Sequence, residues 1–134
     1  MKRPGRNLLY FALSLVCALA AAGCSDAPKD PITIRAISDQ DFTGYYIVNG
    51  GNTSPIGGAN VVQNGTVWEF NQEIEELDSV EVLVTRNGAS TYIKIMIYRK
   101  RDKVKEKTLD TAGSWVLTLE YNYGEEDSSD EKGG

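Results

Sequence analysis

Histidine is absent from the chain, and cysteine occurs only twice, at Cys17 and Cys24. An imidazole-based hydrolase triad, an imidazole zinc site, a CxxC redox pair and a disulfide framework all need residues that this sequence does not hold. No strongly apolar run reaches the roughly 20 residues of a membrane-spanning helix. The longest, LLYFALSLVCAL at residues 8–19, would rise only about 18 Å as a helix against about 30 Å of hydrocarbon. At 134 residues, 41% hydrophobic and 25% charged, the chain suits one domain and not two.

What is present at the start is a processing signal. Lys2, Arg3 and Arg6 form a basic n-region ahead of the apolar run. The segment Leu19-Ala20-Ala21-Ala22-Gly23-Cys24 resembles the bacterial lipobox, in which small residues precede a cysteine that is acylated on sulfur and becomes the new N-terminus. The resemblance implies a signal peptide over residues 1–23, lipidation of Cys24 and a tether over residues 24–31. Ser25 after the cysteine points, by the sorting habit of many such proteins, to the outer membrane. A secretory peptide cut after Ala20-Ala21-Ala22, leaving Cys24 a free thiol, is the plainer alternative. Removal of residues 1–23 leaves 11 basic and 19 acidic side chains, a net charge of −8. Residues 124–134 carry −4 of this with nothing apolar to bury, the composition of a disordered acidic tail.

Between tether and tail the apolar pattern has period two. Trp115, Leu117, Leu119, Tyr121 and Tyr123 alternate with Val116, Thr118, Glu120 and Asn122, as in a half-buried strand. Strands are expected near residues 32–37, 43–49, 57–63, 66–72, 79–86, 90–99 and 114–123, with an eighth near 104–110. Residues 70–80 read as one helical turn or a loop. Asn87-Gly88 reads as a type I′ hairpin turn that would pair Val80 with Ile95, Val82 with Ile93 and Val84 with Thr91. A second hairpin turns within residues 99–103. The fold class this implies is all-β: a single antiparallel β-sandwich, immunoglobulin-like or related, over residues 32–123. With no disulfide, Trp68 and Trp115 are expected to fill its core.

Candidate sites each have a bland reading beside the functional one. Arg99, Lys100, Arg101 and Lys103 are either a solvated hairpin tip whose charges block edge pairing, or a contact for anionic lipid headgroups or an acidic partner. An exported, net-acidic protein leaves no role for nucleic acid. Glu69, Glu73, Glu75, Glu76, Asp78 and Glu81 make an acidic stretch without the spacing of a calcium loop; an exposed loop is expected, ahead of calcium binding or carboxylate hydrolysis. Residues 50–58, rich in Gly, read as a flexible loop. Tyr45, Tyr46, Tyr92, Tyr98, Tyr121 and Tyr123 read mostly as core or cross-strand aromatics, with an exposed ligand face as the alternative. No catalytic residue, metal ligand or cofactor is expected.

The body also resembles the accessory proteins of the MmpS type. The features are Val67-Trp68 opening a strand, residues 80–85 followed by Asn87-Gly88, Ile93-Lys94-Ile95 running into a charged turn at Asp102, and an alternating strand after Gly113. Those proteins carry a membrane anchor and a periplasmic β-sandwich and assist RND-type exporters. This chain lacks their Pro before the Trp, their cysteine pair and their transmembrane anchor. The resemblance implies a lipid-anchored, non-enzymatic interaction or transport-accessory module in the cell envelope, with an envelope protein or transport complex as partner. A ligand-binding or surface-recognition lipoprotein is the alternative reading, and a hydrolase using Glu73 or Asp78 the last.

Overall fold

The computed structural model describes residues 28–110 and 115–125. Cys24, the signal segment and the tail beyond Glu125 lie outside the described residues. Among the described residues nine strands form in chain order: β1 Ile32–Ser38, β2 Phe42–Val48, β3 Thr53–Ile56, β4 Val62–Asn64, β5 Val67–Ile74, β6 Ser79–Arg86, β7 Ile93–Arg99, β8 Asp102–Leu109 and β9 Val116–Asn122. They make two antiparallel sheets, one ordered β4-β5-β1-β7-β8 and the other β3-β2-β6-β9. The protein is therefore an all-β sandwich, as its period-two pattern implies.

Alternation sets which side chains face inward. Ile32, Ile34 and Ala36 of β1 and Ile93, Ile95 and Ile97 of β7 pack from the first sheet; Val80, Val82 and Val84 of β6 and Leu117, Leu119 and Tyr121 of β9 pack from the second. Each Ile, Val and Leu among them contributes about 1.5–3 kcal/mol by leaving water. Tyr46 meets Phe70 across the sheets with ring centroids 5.9 Å apart, and Trp68 packs half-buried against the same core. Trp115 does not join it and stays 54% exposed.

The Asn87-Gly88 hairpin is not formed, because β6 and β7 lie in different sheets. Neither residue takes positive φ, and residues 87–92 are a crossover. A turn-like bond from the Ser90 N–H to the Asn87 carbonyl (2.9 Å) starts it, and the Asn87 Oδ1 accepts from the Ala89 N–H at 3.1 Å. Inward alternation on both strands suits two strands facing each other across a core as well as two strands side by side. The crossover takes up residues 90–92, with Ser90 buried, so β7 begins at Ile93 and not at residue 90.

Asn49-Gly50 does make the mirror-image turn. Both residues have positive φ (53° and 65°), and the Gly51 N–H donates to the Val48 carbonyl at 2.9 Å. The chain then returns as β3, so residues 50–58 hold a strand where a flexible loop was expected. The strand expected at 57–63 is instead a 3-10 turn, Gly58–Asn60, followed by the short β4. Residues 70–80 hold no helical turn: β5 runs to Ile74, and Leu77 is fully buried in the link to β6. The β7–β8 hairpin forms where expected, with Arg99 opposite Asp102 and Lys100 at φ 57°. A register shift between Ile97 and Tyr98 accompanies Val104, which turns into the core, and for that reason the apolar residues of β8 leave its register open in the sequence.

Candidate functional site

The sandwich has two poles. At one, the chain enters β1, the β7–β8 turn closes, and β9 ends. Here the Asp30 N–H donates to the Tyr123 hydroxyl at 3.0 Å, and the Lys100 N–H donates to the Pro31 carbonyl at 3.3 Å. Lys100 pairs with Asp30 at 3.1 Å, and Lys29 pairs with Asp78. The Lys29 ammonium and the Arg99 guanidinium lie 5.7 Å and 5.9 Å from the Tyr123 ring centroid. Residues 29–31 are thus held against the domain.

The basic candidates Arg99, Lys100, Arg101 and Lys103 sit together on this turn, but they are largely answered from within. Lys103 pairs with Glu106 at 2.6 Å, and that hydrogen bond, against the effect of burial, holds the Glu106 carboxyl below the usual range. Lys105 pairs with Glu125 at 3.0 Å. Glu125 also accepts from the Asn122 amide and N–H; Asn122 and Lys105 together hold its pKa below the ordinary carboxylate value. Glu125 therefore belongs to the turn that ends β9, ahead of the acidic tail. Arg101 is exposed, with no ion pair among the described residues.

The acidic stretch is divided by the fold. Glu69 and Glu73 stand on β5 of the first sheet, Glu75, Glu76 and Asp78 on the link, and Glu81 on β6 of the second. Glu69 is spoken for by Arg35, whose guanidinium it helps keep protonated. Glu73 and Asp78 are not brought to a shared site; Asp78 is the partner of Lys29. Among the described residues no group of three or more His, Cys, Asp or Glu side chains is placed to hold a metal ion.

The opposite pole holds two features that the sequence pattern does not announce. Asp39, just beyond β1, accepts from the Thr91 hydroxyl (2.7 Å), the Thr91 N–H (3.0 Å) and the Ser90 hydroxyl (2.8 Å). Burial works against its charge, but these bonds and one from the Tyr92 N–H outweigh it and hold the carboxyl well below its usual range. Ser38, fully buried, donates to the Tyr92 carbonyl and meets the Ser90 hydroxyl, both at 2.8 Å. The cluster ties the 87–92 crossover to the end of β1.

Beside that crossover lies Arg86, the last residue of β6 and 8% exposed. It occupies the next inward position after Val80, Val82 and Val84, a place the alternation itself marks. Its N–H donates to the Trp115 carbonyl at 2.9 Å, and its guanidinium carbon lies 5.5 Å from the centroid of the Trp115 ring. Gly88 lies under the same ring: a Cβ there would come within 3.1 Å of Cζ3 and 3.2 Å of Cη2. Arg86 makes no ion pair among the described residues, and its buried Nε has no hydrogen-bond partner. The mouth of the sandwich at this pole thus combines a buried cation, a half-exposed indole beside it, and a crossover pinned by Asp39.

Comparison of the chain with protein-family models, with curated proteins and with solved structures finds no match.

Proposed function

We propose that the chain is an exported lipoprotein, anchored through acyl chains on Cys24 at the outer membrane, whose β-sandwich serves as a non-enzymatic interaction or transport-accessory module. The observation that carries this reading is the order of Lys2, Arg3 and Arg6, the apolar run at 8–19 and the small residues ending at Cys24. Two or three acyl chains, at about 0.8 kcal/mol per buried methylene, would make such attachment effectively permanent.

The geometry supports the reading through the entry to the fold. Residues 29–31 are held at one pole, and only Ser25, Asp26 and Ala27 lie between Cys24 and Pro28, a reach of about 14 Å at full extension. A domain tethered so closely turns that pole to the membrane and the Arg86 and Trp115 pole away from it. A ligand-recognition role is the second reading, favoured by the unpaired guanidinium of Arg86 beside an exposed indole.

Intact-mass measurement of the protein extracted from membranes tests the proposal. The expected result is a chain beginning at Cys24 with the mass of two or three acyl chains. A chain that starts elsewhere, or that carries no acyl mass, overturns it.

A further inference from the structure

We infer that Arg86 and Trp115 form a recognition site for a carboxylate carried next to a ring or a flat hydrocarbon face. The inference rests on reading the domain as a binding module and not on the acyl anchor.

The first observation is an uncompensated charge. Arginine remains protonated at any ordinary pH, and an arginine withdrawn from water to 8% exposure normally sits against a carboxylate or a set of acceptors. Arg86 has no ion pair among the described residues, and its Nε is an orphaned buried donor. Of the acids at this pole, Asp39 is engaged by Ser90 and Thr91, and neither Asp41, next to the Phe42 that pairs with Arg86, nor Asp110, just past β8, makes an ion pair with the guanidinium. The second observation is independent of the first. Trp115 lies 5.5 Å from the guanidinium yet remains 54% exposed, so the indole offers apolar surface next to the cation. Gly88 keeps the ring low against the crossover, since a side chain there would collide with it.

An oxyanion meeting the guanidinium satisfies Nε and one terminal nitrogen together, the geometry in which arginine holds carboxylates. Among the described residues no second cation stands over the Trp115 ring, so a single negative charge is matched and a second would be left over. That favours a carboxylate above a phosphate monoester.

The test is a titration of the purified full chain, in detergent, with phenylacetate, phenylacetamide and phenyl phosphate, followed by the two indole N–H resonances, with Trp115→Phe assigning them. Phenylacetate should shift the Trp115 resonance saturably and phenylacetamide should not. Arg86→Met should weaken phenylacetate binding about tenfold or more. The melting temperature of Arg86→Met without ligand should equal or exceed that of the parent, since the fold loses a buried charge and no partner. The absence of a saturable shift, equal binding of the amide, tighter binding of phenyl phosphate, unchanged binding by Arg86→Met, or a marked fall in its melting temperature each overturns the inference. The last would show that the chain itself supplies the counter-group. None of these outcomes bears on the acyl mass at Cys24, so failure here and failure of the lipoprotein proposal remain distinct.

Discussion

At the residue scale the two most demanding positions are Asp39 and Gly44. Asp39 holds three donors from residues 90 and 91, a sequence separation of more than fifty, so its loss frees one crossover from the end of β1. Asp39→Asn keeps the shape but turns an acceptor into a donor facing donors, at a cost of about 1–3 kcal/mol. The sign of the pH effect follows from the lowered pKa. An unfolded Asp titrates near pH 4; above that value the folded-state preference for the charged form contributes in full, and it is lost as pH falls toward the lower folded value. The stability gap between the parent and Asp39→Asn should therefore be constant above about pH 5 and shrink below about pH 4, as read by urea unfolding across that range. Gly44, on β2, is set by contact alone: a Cβ there would lie 2.0 Å from the Leu83 carbonyl oxygen on β6. Gly44→Ala must push two paired strands apart, and a loss of about 3 kcal/mol or more is expected in the same assay.

At the element scale the sequence pattern specifies which residues face inward more firmly than which strands are neighbours. Val80, Val82, Val84 and Ile93, Ile95, Ile97 are all inward-facing, as their alternation says. Whether they pair or face one another depends on the crossover between them, and that turns on Asp39, a partner more than fifty residues from Thr91 that no local pattern reveals. For the same reason Arg86 was legible as an inward position but not as a cation without a counter-charge, because that lack is a property of the assembled mouth. Trp115 falls at the end of an alternating strand, where the inward direction points past the sheet and over Gly88 instead of into the core. The basic turn was legible as a hairpin, while the acids that neutralise it come from residues 30, 106 and 125. Gly88→Ala separates the two readings of Asn87-Gly88. A type I′ turn would be strained by alanine at its second position. In the crossover found here φ at Gly88 is not positive, and only the Trp115 ring must give way. Stability should change by less than about 1 kcal/mol, while the tryptophan fluorescence of the variant shifts as the indole moves outward.

At the scale of the whole molecule, tether and charge act on the same pole. If Cys24 carries acyl chains, the reach from it to Pro28 is about 14 Å, and Lys29, Asp30 and the β7–β8 turn then lie close to the headgroups, where each unpaired basic side chain near an anionic surface contributes about 1 kcal/mol. The structure pairs the four lysines of that pole, Lys29 with Asp78, Lys100 with Asp30, Lys103 with Glu106 and Lys105 with Glu125, while Arg99 and Arg101 make no ion pair among the described residues. Such pairing leaves little net attraction for anionic lipid and keeps the acyl chains, in the proposed arrangement, as the sole firm attachment. The consequence can be read on a chain that begins at Ser25, which has neither the acyl acceptor nor the apolar run at residues 8–19 to dominate its partitioning. That chain should show similar weak association with zwitterionic vesicles and with vesicles rich in anionic lipid. Neutralising the two acids that answer Lys29 and Lys100, as Asp30→Asn with Asp78→Asn, releases two cations at the pole where the chain enters β1. Association with the anionic vesicles should then rise about tenfold or more and fall back as salt is added. If the double variant binds no better than its parent, the basic turn does not face the membrane, and the tether must leave the pole in another direction.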